Sequence, residues 1–318
     1  MDNSNFGIII TTYVGCYYLT KGLLASIKEF MPNTPICMIV DGDFDIQNEL
    51  DAYNITHIIR KKDVKNDYLR ENCFGSRNTN MIAFWESPFE YFVYLDSDIV
   101  IWGDYLKNVP VQNFDFIHNT PHETYNERIY KKQYFDYDKL FDYYPYFDWK
   151  DCHFFNAGVF IAKRGALKLE EFKELNSIWK NNKKIMTLPP QSFINIMAFS
   201  NFKHGRLKVG EYLIQEVAPV VSREEMEKKY SLKNIPQSKN EEGIAIHWAG
   251  IKPTYTNRKK TFSDPALYFR KVHLKNISSP FRFIPNVYFW WEENIALLEI
   301  YYQGSFWKFV KSKVKRIF

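Results

Sequence analysis

The chain has 318 residues, 46% hydrophobic and 25% charged, which is ordinary globular composition and long enough to bury a core without staples. A formal net charge of +5 is too mild over this length to argue for nucleic-acid binding. No stretch approaches the roughly 20 apolar residues that span a bilayer. The start, "MDNSNFGIIITTY", lacks a basic region and a cleavable apolar run, so a cytoplasmic protein is expected.

"FGIIITTY" (Phe6 to Tyr13) is short, apolar and β-branched, the pattern of a buried parallel strand. "KGLLASIKEF" follows with Leu23, Leu24, Ile27 and Phe30 at helical spacing. "PICMIVDGD", ending at Asp41, and "ITHIIR" read as two further strands. "SRNTNMIAFWES" reads as a helix and "YFVYLDSD" as a fourth strand. Residues 118–151 are rich in Tyr, Asp and Lys without a clean period, and read as an irregular excursion. "FFNAGVFIAKR" returns as a strand, and "LEEFKELNSIWKNNK" is an amphipathic helix with Leu169, Phe172, Leu175 and Trp179 on one face. Pro189 and Pro190 break the chain before a helix in "QSFINIMAF", and "GIAIHWAG" is a late strand ending at His247. Beyond "NISSPFRFIP", a last helix carries Trp291, Ile295, Leu298 and Tyr302 on one face. Alternating strands and helices predict an α/β fold with a mainly parallel central sheet flanked by helices. Ligands in such sheets sit beyond the carboxyl ends of the strands, where Tyr13, Asp41 and Asp96 fall.

Cys16, Cys37, Cys73 and Cys152 form no CxxC pair, which argues against a thiolate zinc site; free cysteines usually behave as small buried hydrophobes. The 27 Phe, 22 Tyr and 8 Trp supply bulky core and, equally, platforms on which sugars stack.

The informative stretch is "EYFVYLDSDIVIWGDY". Asp-x-Asp occurs four times in the chain, but only Asp96 and Asp98 follow a strand-forming apolar run and precede another. Side chains two apart in extended chain point the same way. Two carboxylates converging out of water repel unless a proton or cation intervenes, and a hard divalent cation is the economical solution. The plainer alternative is a pair of turn-forming acids.

Four segments then resemble, in order, the retaining glycosyltransferase family of glycogenin and the bacterial lipopolysaccharide galactosyl- and glucosyltransferases, which has the GT-A, Rossmann-like fold. They are "RNTNMIAFWESPFEYFVYLDSDIVI", "FFNAGVFIAKR", "PPQSFINIM" and "IHWAGIKP". The resemblance implies that Asp96, Asp98 and His247 hold Mn²⁺ or Mg²⁺, Mn²⁺ favoured by the mixed oxygen and nitrogen set. It implies that Lys252, with Gly250 before it, contacts the diphosphate of a UDP-sugar. Thr11, Tyr13, Asp41 and Ser97 would border the nucleotide. Arg77, Asn156, Ala157 and Gly158 would line the donor sugar, with Gln191 beneath the anomeric carbon. Asp98, Asn156 and Gln191 are the residues expected to carry catalysis. Two departures stand out. Pro190 occupies the family's Asp position, and the His-to-Lys spacing is one residue shorter. Taken alone, His247 suits a strand-end core histidine, Asn156 a backbone contact and Gln191 a helix start.

The implied organisation is a GT-A catalytic domain over 1–275, its nucleotide-binding half about 1–105 and its acceptor and donor half about 106–275. A small helical C-terminal extension would cover 276–318. The implied activity is metal-dependent hexosyl transfer from a UDP-sugar to a glycan or lipid-linked oligosaccharide, with retention, in surface polysaccharide or lipopolysaccharide synthesis. The tail "SFWKFVKSKVKRIF" mixes Phe306, Phe309, Val310, Val314 and Ile317 on one helical face with five basic residues and no acid, which suits an anionic membrane surface. A peripheral location on the inner face of the cytoplasmic membrane follows. A sugar-phosphate nucleotidyltransferase is disfavoured because "FGIIITTYVGCYY" lacks a Gly-rich basic loop. A non-catalytic carbohydrate-binding, membrane-associated protein would leave Asp96, Asp98, Asn156, Gln191 and His247 unexplained.

Overall fold

The computed structural model describes residues 5–120, 127–145, 149–218, 220–230, 243–258 and 262–301. Seven strands form one sheet: β1 (Phe6–Tyr13), β2 (Ile36–Asp41), β3 (Ile55–Ile59), β4 (Tyr91–Asp96), β6 (Phe116–Asn119), β7 (Val159–Lys163) and β8 (Val209–Tyr212). Their order is β3-β2-β1-β4-β7-β6-β8. The sheet is mainly parallel, with β7 antiparallel to both β4 and β6. A second sheet has the order β5-β10-β9, from β5 (Ile99–Trp102), β9 (Gln215–Val217) and β10 (Ile244–His247). This is the α/β fold expected. The chain divides into two compact units.

The first unit comprises Met1–Ile9, Lys61–Leu95 and Asn108–Ile214. Its core is aromatic. Phe160 on β7 stacks on Phe84 at 5.0 Å and on Tyr94 at 4.8 Å, ring centre to ring centre. The segment expected as one helix around Met81 is a 3₁₀ turn, Thr79–Ile82, running into a single α turn, α4 (Ala83–Glu86). Burial of Met81, Ile82, Ala83 and Phe84 fixes it more than helix propensity does. The excursion begins on the last two residues of a buried strand, β6, and contains the short helices α5 (Glu127–Gln133) and α6 (Tyr137–Phe141). The helix α7 (Leu169–Asn181) buries Phe172 and Leu175, as its periodicity predicts. The helix α8 (Pro189–Lys203) starts on both prolines rather than after them. Proline is pre-organised for a first turn, where its missing N–H is not needed.

The second unit comprises Ile10–Arg60, Asp96–Lys107 and Gln215–Phe318. Its helices are α1 (Tyr17–Phe30), α2 (Gln47–Ala52), α9 (Arg223–Tyr230), α10 (Asp264–Asn276) and α11 (Pro285–Tyr301). Gly22 lets α1 and α10 close up: a Cβ there would lie 3.3 Å from Arg270 Cγ. Ser26 on α1 accepts a bond from the Ile101 amide of β5 at 2.9 Å. Gly243 precedes β10 so tightly against the chain at Asp104 and Tyr105 that a Cβ would fall 2.2 Å from the Tyr105 nitrogen. Only glycine admits β10 beside β5 there.

The last described helix buries Phe289, Glu293 and Ala296, whereas Trp291, expected on the inward face, is 52% exposed. The inward position goes to an acid because buried Arg270 needs partners. Arg270 Nη1 donates to Glu293 Oε1 at 2.5 Å and Nη2 to Glu292 Oε2 at 2.8 Å. Lys21 on α1 donates to Glu292 Oε1 at 2.6 Å. All four cysteines are free and buried. The basic tail lies outside the described residues.

Candidate active site

The strand β4 ends at Asp96, and Ser97 and Asp98 form a turn before β5 joins the other sheet. The two acids therefore converge through a turn, not along one extended strand. Opposite them stands His247, the last residue of β10. It pairs in antiparallel register with Ile99, and the Trp248 amide donates to the Asp98 carbonyl at 3.1 Å. This ladder is what brings position 247 to position 98. His247 Nε2 lies 3.4 Å from Asp98 Oδ1 and 3.9 Å from Asp96 Oδ2. One ligand atom from each of the three residues lies within 4.8 Å of the others. Two carboxylate oxygens and an imidazole nitrogen are a donor set suited to a divalent cation. His247 and Asp98 are buried, and Asp96 is partly exposed. On the far side of the ring, Nδ1 is 3.0 Å from Oε1 of Gln215, a wholly buried residue of β9 that sequence reasoning missed.

Lys252 reaches back to donate to Asp98 Oδ2. Its ammonium occupies a cation's place on that oxygen. Burial works to raise the Asp98 carboxyl, but His247 and Lys252 outweigh it and hold Asp98 well below the usual carboxylate range. Burial would lower the Lys252 ammonium, yet Asp98, helped by Asp96 and Tyr13, raises it. Gly250 takes φ +91°, a left-handed conformation that lets the chain double back after β10.

The other residues of this unit expected near a nucleotide sit at strand ends. The Thr11 hydroxyl is buried without a hydrogen-bond partner. Tyr13 is 44% exposed at the end of β1. Ser97 is buried in the acid turn and bonds toward Cys16, whose thiol is pushed up to about 11 by burial. Asp41 ends β2, followed by Gly42 at φ +116°. Arg60, also missed, braces that turn by donating to the carbonyls of Gly42 and Phe44 at 3.0 and 3.1 Å.

The remaining residues lie in the first unit. Residues 154–158 are not strand; β7 begins at Val159. Asn156 Oδ1 accepts from the Gly158 amide at 2.9 Å. Gln191 and Asn195, one turn apart on α8, hold this loop. Gln191 Oε1 accepts from the Ala157 amide at 3.3 Å. Asn195 bonds both the amide and the carbonyl of Phe155 at 3.0 Å. Gln191 Nε2 also donates to the Gln133 carbonyl at 3.2 Å. The Gln-x-x-x-Asn spacing is thus a loop clamp. Arg77 is exposed.

No family model matches the sequence, and no curated protein matches it. Among solved structures it is similar to the galactosyltransferase LgtC in complex with donor and acceptor sugar analogs. That likeness is 13% identical, covers 85% of this chain and 95% of that one, and has a TM-score of 0.50. An active-site mutant of LgtC matches at 12% identity over 84% of this chain and 94% of its own, with TM-score 0.50. WbbM, a bifunctional glycosyltransferase in its apo form, is 16% identical with TM-score 0.54. It is matched over 90% of this chain and 51% of its own length, so this chain spans about half of it. The chain has the GT-A glycosyltransferase fold.

Proposed function

We propose that this chain is a metal-dependent glycosyltransferase that moves a hexose-type sugar from a UDP-sugar to a glycan or glycolipid acceptor, with retention, in surface polysaccharide or lipopolysaccharide synthesis. The observation that carries the reading is the Asp96, Asp98 and His247 cluster closed by Lys252, at the carboxyl end of a strand, on a glycosyltransferase fold. Mn²⁺, favoured over Mg²⁺, would be held by those three residues and would act as a Lewis acid on the diphosphate.

The chain's own groups take the remaining roles. Lys252 leaves Asp98 for the diphosphate and adds positive charge where the departing UDP gains negative charge. Tyr13 and Asp41 border the base, with Thr11, Ser97 and Gly250 along the nucleotide. Arg77, Asn156, Ala157 and Gly158 are assigned to the donor sugar on the order of the family's motifs alone. Gln191 steadies the Ala157 backbone rather than attacking. The only carboxylates in this set, Asp41, Asp96 and Asp98, are committed to base and cation. That favours a front-face route in which the leaving phosphate accepts the proton of the acceptor hydroxyl. Trapping a glycosyl adduct on the protein would overturn that route.

A peripheral membrane contact completes the proposal. Among the described residues no helix is long and apolar enough to cross a membrane. Phe283 and Ile284 just before α11, and Val287, Trp290 and Trp291 in its first turns, are all at least half exposed. Lys271, Lys275 and Arg282 are exposed nearby, and no acid occurs from 265 to 291. Aromatics with basic neighbours match an anionic lipid surface and support the same reading of the tail.

Thermal shift with UDP tests the core of the proposal. UDP with Mn²⁺ is expected to raise the Tm by several degrees and UDP alone by much less. Equal shifts would overturn the metal dependence. A panel of UDP-sugars, read by hydrolysis, then names the donor.

A further inference from the structure

The buried amide of Gln215 reaches the far side of the His247 ring. β9 and β10 run parallel, with Ala245 opposite Gln215 and His247 opposite Val217. Residues two apart on a strand share a face, so Gln215 and His247 project to the same side. The Ala218 amide donates to the His247 carbonyl at 2.8 Å, which locks the register. Gln215 Oε1 then lies 3.0 Å from His247 Nδ1. Both residues are buried, at 0% and 3% exposure, so bulk water does not compete for the contact.

We propose that Gln215 is a positioning residue for the cation site: its Oε1 accepts the Nδ1 proton of His247 and so presents the Nε2 lone pair to the point shared by Asp96 and Asp98. This rests on the metal reading above. A neutral imidazole carries one N–H and one lone pair, and the hydrogen bond made by one nitrogen decides which is which. A wholly buried acceptor aimed at Nδ1 selects the tautomer protonated there. It also opposes flipping of the ring, because a flip would break the Oε1–Nδ1 contact. Ligand imidazoles commonly have such an outer partner, and removing it typically weakens metal affinity about 10–100-fold. An amide rather than a carboxylate in this place orients the ring without adding a third negative charge to the site. The two strands beside His247 therefore have separate roles, β5 bringing Asp98 and β9 bringing the group that aims the ring.

Three measurements together test this. The first is Mn²⁺ binding to the nucleotide-free protein, followed by electron paramagnetic resonance of free Mn²⁺, for wild type, Gln215→Met and Gln215→Glu. Gln215→Met, similar in shape but with no oxygen acceptor, is expected to bind about 10–100-fold more weakly. Gln215→Glu, which restores an acceptor, is expected to stay within about threefold of wild type or bind tighter. The second is the Tm of each variant without metal, which shows that loss of affinity is not loss of fold. The third needs no substitution: ¹⁵N shifts of His247 in metal-free wild type are expected to show Nδ1 protonated. Gln215→Met binding Mn²⁺ as tightly as wild type, or Nε2 protonated in the wild type, overturns the inference while leaving the metal reading standing. A wild type that does not bind Mn²⁺ overturns the metal reading and the inference with it.

Discussion

Asp98 is the residue on which most of the site's interactions converge. It faces His247, accepts from Lys252 and gives its backbone carbonyl to Trp248. Asp98→Asn keeps the shape but removes the negative charge a cation requires, so metal-dependent turnover is expected to fall at least about 100-fold. The Tm is expected to stay within a few degrees of wild type, and unchanged turnover would remove Asp98 from the site. Lys252 makes a contrasting prediction. Its ammonium bonds the Asp98 Oδ2 that the proposed cation would use. Lys252→Met is therefore expected to tighten Mn²⁺ binding to the free protein several-fold and to weaken UDP binding about tenfold or more. Calorimetric titration of each ligand separately reads both effects. Weakened binding of both ligands would mean that Lys252 only supports the fold.

Among the elements, α1, α10 and α11 are joined by buried charge rather than by apolar contact alone. Arg270 is 1% exposed and lies between Glu292 and Glu293, with Lys21 also on Glu292. Removing one partner strands the others, so Arg270→Met is expected to cost about 3–5 kcal/mol, read as a large fall in Tm. The same network sets a pH dependence. Burial would raise the Glu292 carboxyl, but Lys21 and Arg270 bring it down to about 2 from an ordinary 4.5. A depressed acid stabilises above its unfolded pKa and loses that contribution as pH falls through the folded one. About 3 kcal/mol is therefore lost from pH 4.5 toward 2. His273 is held down to about 3, by burial first and then by Lys21 and Arg270, although Glu49 Oε1 is 3.4 Å away. It stays neutral in the fold while the unfolded chain binds a proton, so stability begins to fall below pH 6.5. Tm measured against pH is expected to be flat near neutrality, to decline from about 6.5 and to steepen below about 4.5. His273→Gln should lessen the upper part of that decline, to which buried His118, also held down by burial, contributes with the same sign, and leave the lower part.

For the whole molecule, the distribution of charge and exposed aromatic rings matters more than net charge. The segment 280–291 exposes Phe281, Phe283, Ile284, Val287, Trp290 and Trp291. Six large apolar side chains in twelve residues are too concentrated to be the scattered exposure of an ordinary surface. The full chain is expected to co-sediment with anionic vesicles and not with neutral ones. A form cut before Ser305 should lose the charge-dependent part, and Trp290→Ser with Trp291→Ser the salt-resistant part. A wild type that partitions no better than either variant would end the membrane reading. Concentration-dependent dimerisation lost in the tryptophan variant would assign the face to a second copy.

Local pattern alone is enough to read the strands whose apolar runs are unbroken, the amphipathic α7, and the order of the motifs that point to a GT-A fold. These are local patterns: burial on both faces of a strand, or one stripe on a helix, is written in neighbouring residues. The sequence also marked Asp96 and Asp98, because acids inside an apolar run need a reason, and His247 through the resemblance of its "IHWAGIKP" segment to the family's motif. Short β6, β8 and β9 were not legible, since three or four residues carry no period, and their pairing comes from partners distant in the chain. The same holds for Gln215 and Arg60, ordinary polar residues until the fold places one against His247 and the other against the turn after Asp41. The inward face of α11 was misjudged because hydropathy puts tryptophan inside, whereas the fold had buried an arginine that needed Glu292 and Glu293. These placements come from the fold, because the energy of a buried polar group depends on the partner it meets and not on its own position in the sequence.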